Sequence, residues 1–249
     1  MEQVYLNIEY KSMSSETVEK LNVELSGKTP EEIIRSAVDF FGAPFTALAS
    51  SFGAEDQVIT DILHRENLQV PVFTLDTGRL PQETYDVLDA TRSRYGIKIE
   101  VLFPETSAVE EMVTNNGVNL FYDSVKLRRE CCRIRKVQPL TKKLSKQKAW
   151  ICGLRREQSV TRTAEAPVEW DAAFGLHKIN PLAEVSDAWV WEYIKSHQVP
   201  YNALHDHGYP SIGCAPCTRA VKPGEDIRAG RWWWEIAEHR ECGLHREHK

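Results

Sequence analysis

The sequence predicts an α/β fold, a mostly parallel sheet with helices on both faces, and three observations predict it. Four short apolar runs (PFTALAS, VPVFTLD, IKIEVLF and AWICGL) are each separated from the next by at least one segment of helical period. Such interleaving is the pattern of βαβ units. The chain has 249 residues, 42% of them hydrophobic and 27% charged, which suits one sizeable domain with a full core.

The elements follow in order. EEIIRSAVDFF, behind the Thr29-Pro30 start signal, reads as a helix, and PFTALAS as a buried strand. The loop SFGAED comes directly after it. DQVITDILHREN has helical period, VPVFTLD is the second strand, and PQETYDVLDATRSRYG is a helix opened by Pro81 and closed near Gly96. IKIEVLF is the third strand, TSAVEEMVTNN a helix, and the basic stretch Arg128 to Ser145 contains another. AWICGL is the fourth strand. Beyond Ala183 the pattern weakens to one helix, SDAWVWEYIKSHQ, and then a region rich in His, Cys, Trp, Pro and Gly; residues 1–28 show no clear motif. Parallel sheets bind ligands at the carboxyl ends of their strands, so the loops after Ser50, Leu75 and Gly153 are expected to face one crevice.

Composition narrows the function. The net charge of −5 argues against general nucleic-acid binding, and no run approaches the ~20 apolar residues of a spanning helix. The start MEQVYLNIEY does not read as a secretory leader, so a cytoplasmic protein is expected. Charge is nevertheless uneven: between Lys126 and Lys148 stand ten Lys or Arg residues against the single acid Glu130. Such a run is either a solvated helix face or the lining of an anion site.

Several residues carry chemistry. A strand-to-helix turn such as Ser50 to Asp56 offers backbone N–H groups to an anion, although Ser/Gly-rich turns there are also common for structural reasons, and this one lacks the lysine of a Walker loop. Cys131 and Cys132 are adjacent, and Cys214 and Cys217 form a CxxC pair. Four thiolates suit zinc or an iron–sulfur cluster. Adjacent Cα atoms lie about 3.8 Å apart with diverging side chains, which favours the larger 4Fe-4S cube. Cys152, inside AWICGL, reads as a small buried hydrophobe. Cys242 stands apart in HRECGLHREH, where Arg240, His245 and Arg246 are available to raise its thiolate fraction, although a cysteine near a chain end is more often incidental. At least two of Trp232, Trp233 and Trp234 are expected to be packed rather than to form an exposed platform.

Taken together, SFGAED, LDTGRL (Leu75 to Leu80), CCRIRKVQPL (Cys131 to Leu140), CGLRREQSVTR (Cys152 to Arg162), IGCAPCTR (Ile212 to Arg219), RAGRWWWE (Arg228 to Glu235) and ECGLH (Glu241 to His245) closely resemble the phosphoadenylyl-sulfate reductase family, and within it the assimilatory, thioredoxin-dependent adenylyl-sulfate reductases. The resemblance covers most of residues 45–245. It implies an adenine nucleotide alpha hydrolase-like fold, with a nucleotide-binding reductase domain over 1–231 and a mobile catalytic tail over 232–249. It further implies a 4Fe-4S cluster on Cys131, Cys132, Cys214 and Cys217, with Cys242 as nucleophile. Lys136, Arg228, Arg231 and His245 match positions around the phosphosulfate; Ser50, Leu75 and Gly153 match the nucleotide pocket, and Arg162 is carried with them. Glu55 and Asp56 are weaker carry-overs. The implied partners are adenosine 5′-phosphosulfate, thioredoxin or glutaredoxin, and further copies of the chain. Rival readings are dual use of the 3′-phosphorylated nucleotide, a tRNA thiolase of the ATP-pyrophosphatase type, and a zinc-stabilised binding module.

Overall fold

The computed structural model describes residues 15–158 and 166–236. Six strands form one sheet in the order β3-β2-β1-β4-β6-β5, where β1 is Thr46–Ala49, β2 Val72–Leu75, β3 Ile99–Leu102, β4 Ala149–Ile151, β5 Val168–Asp171 and β6 Leu176–Ile179. Every neighbouring pair is parallel except β5 with β6. The register Leu48↔Val72 and Leu48↔Ile151 puts β1 at the centre.

The helices are α1 (residues 15–25), α2 (Pro30–Phe41), α3 (Ala54–Arg65), α4 (Gln82–Tyr95), α5 (Thr106–Asn116), α6 (Val125–Cys132), α7 (Gln138–Leu144) and α8 (Asp187–His197). Thr29 starts α2 with a reciprocal capping box: its hydroxyl accepts from the Glu32 N–H, and its own N–H donates to the Glu32 carboxylate at 2.9 Å. Alternation along the strands divides the core. Leu48, Ile151 and Ile179 face Ile33 and Ile34 of α2, Val58 and Ile62 of α3, and Val190 and Ile194 of α8. Ala47, Phe73 and Trp150 face Leu140 and Leu144 of α7 on the other side. Helices therefore cover both faces, as the sequence pattern predicts. A third cluster, Met112, Phe121, Ile134, Cys214, Cys217 and Trp232, lies beside the sheet.

Two elements had no counterpart in the sequence reading. One is α1, within residues 1–28. The other is the β5–β6 hairpin, whose strands VEWD and LHKI are short and mix apolar with charged residues, so neither periodicity nor apolar runs mark them. Trp232 and Glu235 are buried in the body of the molecule.

Candidate active site

Strand order reverses between β1 and β4, and in open α/β sheets that switch point leaves a crevice outside the carboxyl ends. A cleft of about 260 Å³ lies there. Its walls come from the β1–α3 loop, the ends of β2 and β4, the α6–α7 junction and residues 227–232.

The β1–α3 loop is built for close approach. Gly53 begins α3 with no side-chain cap, leaving the first N–H groups of the helix without one. The Asp56 carboxylate accepts from both the N–H and the hydroxyl of Ser51 at 2.7 Å, folding the loop back on itself. Burial pushes the Asp56 carboxyl up to about 6, and the Ser51 bonds resist that rise. Arg155, buried behind the loop, donates from Nε to Glu55 at 2.8 Å and from Nη2 to Asp187 at 2.6 Å, tying the first turns of α3 and α8 together. Gly153 presses against this loop: a Cβ there would lie 2.5 Å from Asp56 Oδ1 and 2.8 Å from Glu55 Cβ.

Cations line the same cleft. Lys136 sits in a π-helical turn, Arg133–Val137, that joins α6 to α7. Pro139 explains the turn: an α-helix would need its N–H to meet the Arg135 carbonyl, and proline has none, so the ladder opens at that point. Arg228 and Arg231 complete the set. The Arg231 guanidinium lies against Gly213, where a Cβ would overlap it, and Arg231 Nε is buried with no protein partner among the described residues.

Cys131, Cys132, Cys214 and Cys217 surround a second cavity of about 20 Å³, with Lys136 and Trp232 shared between the two walls. The thiols ring this space rather than converge: among the described residues, no three His, Cys, Asp or Glu side chains meet at one metal-ion position. Thr77 Oγ1 lies 3.2 Å from Cys214 Sγ. Burial raises the Cys214 thiol, but the Lys136 charge, the Thr77 contact and the nearby arginines outweigh it and hold the group below its ordinary value. Cys217, buried beside Cys214, is pushed up to about 12.

Ser50, Leu75, Gly153, Lys136, Arg228 and Arg231 thus line one cleft, and the four cysteines lie behind it. Cys242, His245 and Arg162 fall outside the described residues. Cys152 is buried, as expected. The sequence reading passed over Thr77, Arg155 and Arg128. LDTGRL and CGLRRE contain the first two, but an isolated Thr or Arg carries no signal until a partner distant in sequence is known.

A model of the phosphoadenosine phosphosulfate reductase domain matches residues 46–220, the span that holds all six strands and most of the lining of both cavities. The chain belongs to that family. It is 58% identical over 199 residues to the adenosine 5'-phosphosulfate reductase of Allochromatium vinosum, covering 80% of this chain and 77% of that one. It is 52% identical to the enzyme of the same name from Burkholderia cepacia (79% of each chain), and 46% identical over 227 residues to that from Pseudomonas aeruginosa (89% of this chain, 84% of that one). The crystal structure of phosphoadenylyl-sulfate reductase from Candida auris, a phosphate complex, superposes with TM-score 0.71 at 30% identity, over 84% of this chain and 98% of that one. The FMN adenylyltransferase of Candida glabrata shares the fold with TM-score 0.55 at 16% identity, over 88% of this chain and 73% of that one. The chain is therefore an enzyme of the reductase family, with an adenine nucleotide alpha hydrolase-like fold. Among the described residues no helix is long and apolar enough to cross a membrane.

Proposed function

We propose that the protein reduces adenosine 5′-phosphosulfate to sulfite and AMP in assimilatory sulfate reduction toward cysteine. The single observation that carries this is that Lys136, Arg228 and Arg231 line the same cleft as the β1–α3 loop, in a chain whose relatives at 46–58% identity are named for that substrate. The nucleotide lies across Ser50, Leu75 and Gly153, with Arg162 a further substrate-binding residue, and its phosphosulfate lies toward the cations and His245.

Cys242 is the nucleophile. Its thiolate attacks the substrate sulfur, an S–S bond forms as the S–O bond to phosphate breaks, and AMP leaves with the electron pair. Nucleophile and substrate are both anions, so the three cations first offset their repulsion and then stabilise charge on the departing phosphate. A thiol of thioredoxin or glutaredoxin attacks the Cys242 sulfur and expels sulfite. A second thiol of the donor resolves the mixed disulfide, so oxidation of the dithiol supplies both electrons. The segment bearing Cys242 closes over the cleft for the first step and opens for the second; protease sensitivity that is the same with and without nucleotide would count against this movement.

Cys131, Cys132, Cys214 and Cys217 would hold a 4Fe-4S cluster. The donor set fits: four thiols around one space, nearby cations to offset their charge, and Trp232, whose buried indole N–H has no protein partner among the described residues, in the same wall. Such a cluster would tie the Cys131–Lys136 and Cys214–Cys217 segments together beside the cleft, while the electrons come from the thiols. The same reading makes the enzyme cytoplasmic, where its thiol donor is kept reduced, and a homo-oligomer, which sedimentation would test.

The deciding experiment is sulfite release by protein purified without air, with thioredoxin and its reductant, comparing adenylyl sulfate with phosphoadenylyl sulfate. Sulfite from adenylyl sulfate, abolished by Cys242→Ser, is expected; equal rates with both nucleotides would widen the substrate, and no sulfite from either would overturn the reading.

A further inference from the structure

Two arginines address one indole ring. The guanidinium carbons of Arg128 and Arg231 each lie 4.8 Å from the Trp232 ring centroid. They differ in what neutralises them. Arg128 is fully buried on α6 and makes a two-pronged pair with Glu235, Nε to Oε1 at 3.0 Å and Nη2 to Oε2 at 2.8 Å. Arg231 has no carboxylate partner among the described residues and lines the cleft.

The backbone adds to this arrangement. The Trp232 N–H donates to the Cys217 carbonyl and the Glu235 N–H to the Trp232 carbonyl, while Arg231 bridges Thr218. Trp232 itself takes a left-handed φ of 43°, a conformation a side chain adopts only when its surroundings hold it. Arg231 is thus aimed by packing, against the Trp232 ring and the bare Cα of Gly213, and its Nε has no acceptor among the described residues.

We propose that Trp232, locked by the buried Arg128–Glu235 pair, is the positioning residue that points the Arg231 guanidinium at the anionic part of the nucleotide. This rests on the assignment of the cleft to a nucleotide phosphosulfate. The division of labour follows from the charges. Glu235 neutralises Arg128, so of the two cations on the ring only Arg231 lacks a carboxylate partner among the described residues, and it is the one that lines the cleft. A guanidinium held in place loses less entropy on binding than one free to move, so its orientation appears directly as affinity for the anion.

Binding separates this role from a merely structural one, because adenosine, AMP and adenylyl sulfate share a nucleoside and differ in the anion. In a Cys242→Ser background, which prevents turnover, W232L is expected to weaken AMP and adenylyl sulfate by ~tenfold or more, about one charge-assisted hydrogen bond, with adenosine affinity unchanged. W232F keeps a ring and is expected to stay within about threefold of the parent. Should W232L not fold, R128M/E235M serves: it removes the pair but keeps apolar volume, and it too is expected to lose anion affinity selectively. Equal losses for adenosine and AMP, or no loss for AMP in folded W232L or R128M/E235M, would overturn the proposal. Sulfite release by the unsubstituted enzyme tests the cleft assignment separately.

Discussion

Gly153 and Asp56 stand so close that a single methyl group at Gly153 would lie 2.5 Å from the Asp56 carboxylate oxygen. The loop after β4 and the loop after β1 thereby meet in the lining of one cleft. G153A is expected to push them apart, costing about 1–3 kcal/mol of stability and roughly a factor of ten or more in nucleotide affinity. Thermal unfolding and AMP titration would check both.

Asp56 also gives stability a pH dependence. Its carboxyl is raised from 3.8 to about 6 by burial, so between those values the folded protein keeps a proton that the unfolded chain has lost. The group's contribution is therefore most favourable below about pH 4, falls as pH rises through 6, and is constant above. That loss is roughly 3 kcal/mol. D56N removes the titration, so its stability relative to the parent is expected to climb between pH 4 and 6 and then level off in denaturant unfolding series; a parallel pair of profiles would contradict it.

Asp61 spans three helices by giving one carboxylate oxygen to each of two tyrosines, Tyr95 on α4 and Tyr193 on α8, both at 2.9 Å. All three residues are buried. Y95F and Y193F are each expected to cost about 1–2 kcal/mol, because each leaves a buried acceptor short of a donor. Urea unfolding of the single and double variants should show coupling, since the two hydroxyls share one charge.

Iron should follow the cysteines. C214S and C217S, prepared without air, are expected to lose the bound iron and labile sulfide and the visible absorbance of the cluster, while C152S, buried but outside the ring of thiols, retains them. Metal analysis settles this without any activity measurement.

How much of this was legible in the sequence depended on whether a signal was local. The Thr29-Pro30 start of α2, Pro81 before α4 and Gly96 after it act within a few residues, and they place those helices correctly. The cleft was readable for the same reason, since its loops directly follow β1, β2 and β4. What stayed hidden is held by distant partners. Arg155 becomes a hub only when Asp187 is brought to it, and Arg128 only when Glu235 is, 107 positions away. Left-handed Trp232 has no sequence marker, and the β5–β6 edge gains its strand character from pairing with the sheet.

The π turn at Arg133–Val137 makes this stretch sensitive to length as well as to composition. Each residue of a helix turns the next by about 100°, and the wider loop there is what accommodates one residue more than a regular helix would. Deleting one residue between Cys132 and Gln138 would let the ladder close into regular winding with the flanking turns in register, and the bulge that carries Lys136 to the walls of both cavities would be lost. Families that keep this arrangement should therefore tolerate substitutions such as Val137→Ile yet admit no insertions or deletions in these five positions, so that alignment gaps become a better marker of function here than residue identity.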